Sequence, residues 1–134
     1  MARTAENPLV NHAGAMRAVV CLAVPLCACA PLITADSPKN VKGKEIAPYE
    51  WHEECLHMKA GDRVEYAYES TRPVDFNLHY REGAAVIMPV VKDKSVADAG
   101  VFKTPNAEDY CLMWEAGVEG AIIDYRIRLR PATP

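Results

Sequence analysis

From Arg63 to Tyr80 the chain changes polarity at almost every residue. Val64, Tyr66 and Tyr68 alternate with Arg63, Glu65 and Glu69, and after Thr71-Arg72-Pro73 a second run sets Val74, Phe76, Leu78 and Tyr80 against Asp75, Asn77 and His79. A period of two sends successive side chains to opposite faces of a pleated strand, so both runs read as half-buried strands. Proline cannot donate to a ladder, and Pro73 is expected to end the first of them. The apolar face of each strand must be covered by another layer, which excludes an isolated hairpin.

The flanking segments extend the pattern. Tyr49–Met58 reads as a strand, though a distorted one, with Trp51, Glu53, Cys55 and His57 on one parity and His52, Glu54, Leu56 and Met58 on the other. Lys59-Ala60-Gly61-Asp62 and Arg81-Glu82-Gly83 are turns. Ala85–Val91 is an apolar run whose Pro89 suits an edge or a bulge, Lys92–Gly100 reads as a polar loop, and Val101–Thr104 as a short strand. Pro105–Asp109 turns into a strand at Tyr110–Glu115; Gly117 and Gly120 punctuate the next turn. The last strand then directs Ile123, Tyr125, Ile127 and Leu129 inward and Asp124, Arg126, Arg128 and Arg130 outward. Seven or eight short strands, with no helical period after residue 35, define an all-β fold: an antiparallel, jelly-roll-like β-sandwich over residues 49–131.

A chain of 134 residues has room for one such domain. Half of it is hydrophobic and a quarter charged, the balance of a globular protein rather than a disordered one. A net charge of −3, with no basic residues interleaved in the aromatic stretches Val64–Tyr68 and Tyr110–Trp114, argues against a nucleic-acid partner.

Ala18–Ala35 carries no charge, but Pro25 and Pro31 interrupt it. Arg17 followed by the apolar Ala18–Leu26 fits a secretory signal peptide better than a membrane span. Its end, Leu26-Cys27-Ala28-Cys29, resembles the lipobox of bacterial lipoproteins. That resemblance implies a signal peptide over residues 1–28, a diacylglycerol on the Cys29 thiol, and a membrane-anchored protein of the bacterial envelope facing the periplasm. Met1–Ala15 contains Glu6, unusual ahead of an apolar core, and Met16-Arg17 makes the more ordinary start of translation. Residues 29–48 read as a polar, proline-punctuated tether with a first edge strand near Val41–Ile46. Removal of residues 1–28 takes away Arg3, Arg17 and Glu6 and leaves the remainder near −4.

Of five cysteines, Cys21, Cys27 and Cys29 crowd the N-terminal segment, and Cys55 and Cys111 stand apart as one pair rather than part of a larger framework. Taken in order, Cys55, the turn ending Gly61-Asp62, Pro73-Val74-Asp75-Phe76-Asn77 and Tyr110-Cys111 resemble the GOLD domain, a lumenal β-sandwich of cargo receptors with bacterial lipoprotein relatives. The resemblance spans about residues 50–130 and implies a Cys55–Cys111 disulfide and a general binding role. Ala107-Glu108-Asp109 stands where the family usually has a glycine before the tyrosine. No coiled coil or membrane helix follows the sandwich in this chain, so coat binding and cargo packaging are not expected.

No Gly-x-Ser-x-Gly is present, Ser70 and Ser95 lack a recognisable base, and Glu53 and Glu54 are adjacent and hence on opposite strand faces. No catalytic residue and no cofactor is expected. The best exposed polar cluster is Asp75, Asn77 and His79 with Arg81 at a hairpin tip, a contact face for an envelope protein or a small ligand. The alternative is a periplasmic copper or zinc site of cupredoxin-like architecture using His52, His57 and Met58. Cys111–Ile127 is similar to a cupredoxin's last loop, but no histidine follows His79.

Overall fold

The computed structural model describes residue 33 and residues 38–133. The signal segment 1–28, the Met16 start, Cys29 and most of the tether lie outside the described residues. The described chain is all β and antiparallel: β1 (Lys39–Ile46), β2 (Trp51–Met58), β3 (Arg63–Glu82), β4 (Ala85–Lys103), β5 (Glu108–Ala116) and β6 (Ala121–Arg130). The order β1-β6-β3-β5-β2, with β4 on the other side of β3, curls into a half-barrel. The edge strand expected near Val41–Ile46 is β1, which takes residues 39–46 out of the tether and into the sheet.

Six strands stand where seven or eight were expected, because two of them are long. β3 runs through Thr71-Arg72-Pro73 instead of ending there. Against β4, the register steps from Glu69↔Ala97 to Val74↔Ser95, so Ser70–Pro73 bulge out of the ladder, and Pro73 sits where no backbone donor is required. The bulge is also where β3 changes partner: Arg63–Ser70 pair with β6, and Val74–His79 pair with β5. The two layers are therefore halves of one continuous sheet, bent through a single strand.

The second correction is Lys92–Gly100, which is strand rather than loop. Among the described residues β4 pairs only with β3, so it is an edge there, and an edge that faces water can be polar without losing its ladder. Lys94 takes a positive φ of 52° at the bend, and its N–H donates to Asp75 Oδ1 at 2.8 Å.

Inside the curl the alternation holds. Val64, Tyr66 and Tyr68 from one half of β3 and Val74, Phe76, Leu78 and Tyr80 from the other are buried, with Leu112, Trp114, Ile123, Tyr125 and Ile127. Phe76 is the hub of an aromatic cluster, 5.0 Å from Tyr66, 4.9 Å from Tyr68 and 5.4 Å from Trp114 between ring centroids. β2, expected to be distorted, pairs with β5 over all eight residues without a break. Its even-numbered side chains therefore point inward as a set.

Cys55 and Cys111 face each other in that ladder and are joined by a disulfide, with Cα atoms 4.0 Å apart. The bond does not cross the sandwich between layers; it staples edge strand β2 to its neighbour along the sheet, on the outer face. Closing a loop of this length contributes about 4 kcal/mol on the chain-entropy account. At the far end, the Asp62 carboxylate accepts the Lys59 N–H at 2.8 Å and the Ala132 N–H at 2.9 Å, which ties the β2–β3 turn to the C-terminal segment.

Gly100 lies opposite Tyr66, and a Cβ built there would lie 2.6 Å from the Tyr66 hydroxyl. Gly100→Ala is expected to destabilise the fold by roughly 1–3 kcal/mol, seen as a lower denaturant midpoint, because the packed ring cannot withdraw without leaving Phe76.

Candidate functional site

The outer face of β2, β5 and β3 carries the cluster expected from the sequence, in altered form. Asp75, Asn77 and His79 share this face with Glu115, Met113 and Cys111 of β5, to which they are directly paired. β3 is a central strand, so its outward side chains are flanked on both sides: Asn77 is 8% exposed, Asp75 and His79 are half-buried, and Arg81 near the tip is free in solvent. His79 is held at both nitrogens, Nδ1 2.8 Å from Asn77 Oδ1 and Nε2 3.1 Å from Glu53 Oε1 on β2. The disulfide lies beside it, with Cys55 exposed and Cys111 half-buried.

Around this polar centre the face also carries exposed apolar side chains. Trp51 is 60% exposed and pairs with Glu115, next to Asp75; Val91 pairs with Asn77, and Val86 with Arg81. Met88, also on β4, is exposed as well.

The metal alternative does not assemble. His52 points inward, His57 points outward to Asp109 at 2.8 Å, and Met58 is fully buried beneath the sheet. Alternation sends residues 52 and 57 to opposite faces, and no bulge in β2 reverses it. Ser70 and Ser95 each donate a hydroxyl hydrogen bond to the carbonyl two residues on, Arg72 and Ala97, as bulge and edge supports. Glu53 faces out and Glu54 faces in, as their adjacency requires.

A second cluster was not anticipated. His52 and Glu54, the inward pair at the open end of β2, meet Lys39 of β1 and Tyr125 of β6. Lys39 Nζ lies 2.6 Å from Glu54 Oε1, the Tyr125 hydroxyl donates to the same carboxylate, and His52 Nε2 is 2.8 Å from the Tyr125 oxygen and 3.2 Å from Glu54 Oε1. The His52 ring stacks on Trp114 at 6.0 Å. β1 and β2 end the sheet order, so this network joins by side chains the two edges that backbone pairing leaves apart. The even parity of β2 was readable beforehand, but Lys39 and Tyr125 meet it only through the curl.

Burial opposes ionisation of Glu54, yet hydrogen bonds from Lys39 and Tyr125 and the Lys39 charge outweigh it, so its carboxyl titrates below the usual range. Burial lowers His52 against the pull of Glu54 and keeps it neutral further into acid. Tyr125 is raised by burial and by Glu54; Tyr66 is pushed up to about 12 by burial and Asp98. The His52 and Glu54 shifts are both downward. The unfolded chain takes up protons first, His52 near 6.5 and Glu54 near 4.5, so stability is full above those values and is lost as pH falls through them towards the folded values. Thermal midpoints are expected to drop on going from about pH 7 to about pH 4, with a shallower slope in the His52→Phe and Glu54→Gln variants.

This is a disulfide-stapled, antiparallel β half-barrel with a mixed apolar and polar outer face. A solved structure with this architecture is PliG of Aeromonas hydrophila, a periplasmic lysozyme inhibitor of g-type lysozyme, with a TM-score of 0.54 at 16% identity over 69% of this chain and 86% of that one. No protein-family model and no curated protein sequence matches the chain. At this identity the likeness is one of fold.

Proposed function

We propose that this chain is an exported, lipid-anchored envelope protein whose half-barrel is a non-catalytic protein-binding module, and that its partner is a lysozyme-class enzyme that cleaves peptidoglycan. The observation that carries the reading is the outer face of β2, β5, β3 and β4. It sets exposed Trp51, Val86, Met88 and Val91 around a polar centre of Asp75, His79 and Arg81. Aromatic and arginine anchors ringed by apolar contacts are the composition of protein interfaces, and the row is held on rigid, paired strands. The shared fold with a periplasmic lysozyme inhibitor supports the partner class. The GOLD resemblance agrees with a binding role without naming a partner. An envelope setting also suits the disulfide, which persists in an oxidising compartment.

The purified protein is expected to slow peptidoglycan lysis by a g-type lysozyme in a saturable manner, and to release no fragments alone. Trp51→Ala and Arg81→Glu should weaken the inhibition about tenfold or more, while Arg126→Glu, on the other half of the sheet, should not. Lysis unaffected by excess protein, with no complex in calorimetry, would remove the partner assignment.

Anchoring rests on Leu26-Cys27-Ala28-Cys29. Expressed with its leader in a bacterium, the protein should incorporate labelled palmitate and partition with membranes, and Cys29→Ser should abolish both, because a stable anchor needs more than one chain. Label retained in Cys29→Ser would move the attachment elsewhere.

A further inference from the structure

The Cys55–Cys111 disulfide shares the outer face with two further ligand-type side chains. Glu53, His79 and Cys111 each offer one ligand atom, and these atoms all lie within 4.8 Å of one another. Cys55 is bonded to Cys111, so a fourth donor lies beside these three. The nitrogen arrangement at His79 points the same way. With Nδ1–H donating to Asn77 Oδ1, Nε2 faces Glu53 Oε1 at 3.1 Å. That tautomer directs the Nε2 lone pair into the cluster, where it can bind a metal ion. Two ligands of a tetrahedral zinc ion lie roughly 3.3 Å apart, close to that separation. Asn77, itself buried, fixes the ring orientation as the outer partner of a metal-bound histidine does.

We propose that reduction of Cys55–Cys111 turns this face into a four-ligand zinc-type site made of Cys55, Cys111, His79 and Glu53. The reductant is a dithiol. Its thiolate attacks the Sγ of Cys55, an exposed residue, and the S–S bond breaks with its electron pair leaving on Cys111, beside His79. The second thiol of the reductant then closes its own disulfide and releases Cys55, so two electrons pass from dithiol to protein. The metal ion takes the places of the two thiol protons, which go to solvent, and the Nε2 lone pair and the Glu53 carboxylate complete the set. Bound zinc would bridge β2 to β5 and β3 in place of the covalent staple. The set excludes His52, His57 and Met58, and it does not depend on the lysozyme reading.

The test uses the full chain carrying Cys21→Ser, Cys27→Ser and Cys29→Ser, so that Cys55 and Cys111 are the only thiols. Zinc binding is measured by chelator competition with the disulfide intact and after phosphine reduction, and cobalt substitution reads the ligand set. One zinc ion per reduced chain, at least a hundredfold tighter than in the oxidised form, with tetrahedral cobalt bands and thiolate charge transfer, is the expected result. His79→Ala should lose that affinity and Asn77→Leu should lower it by about tenfold. Equal affinity in both redox states, or wild-type affinity in His79→Ala, would overturn the proposal. Should reduction open β2, zinc must restore its amide-exchange protection; failure to do so would also overturn it.

Discussion

β3 belongs to two half-sheets at once, and every other element takes its place from that strand. Its first half carries β6 and through it β1; its second half carries β5 and through it β2; β4 follows it along the other side. The change of partner happens over Ser70–Pro73, where residues leave the ladder and the sheet turns back on itself. Because inward residues on both sides of the bulge are even-numbered, one apolar face continues through the bend. That continuity lets Tyr66, Tyr68, Phe76 and Trp114 form a single aromatic core.

A sheet curled this way but not closed has edges to manage, and the protein treats them differently. β2 is fastened to β5 covalently on the outer face and to β1 and β6 by the Lys39–Glu54–Tyr125–His52 network on the inner one. The network is a partly buried set of ion pairs and hydrogen bonds in which each charge has a partner, so removing one member leaves another uncompensated. β4 has no such cover and presents exposed valines and Met88 along an unpaired edge, beside the polar row of β3. An exposed edge that carries apolar side chains is disposed to contact other proteins.

The outer face gathers the chemistry for a geometric reason. Directly paired residues share a face, so Cys55, Cys111 and His79 fall in one row across three strands, and Glu53 lies one diagonal step away. Strand pairing is what brings donors so far apart in sequence this close. In the next row Asn77 is buried although it points away from the core, and it is paired on its two sides with Met113 and Val91.

Period-two alternation made the all-β fold, the inward face of β3 and β6 and the parity of β2 legible from residues alone, because burial acts on each strand separately. The pairing of the two solitary cysteines followed from a resemblance in motif order. What remained hidden was long-range. Pro73 and Lys92–Gly100 looked like interruptions, because a bulge and a wet edge carry the local composition of loops. Glu54 and His52 shared a parity with Leu56 and Met58, but their partners Lys39 and Tyr125 reach them only through the curl. Sequence by itself determined which side chains face inward, since that depends on local hydrophobicity and strand period. The tertiary structure decided which strands are neighbours, and so which side chains meet, because pairing across the bend depends on contacts between residues distant in the chain.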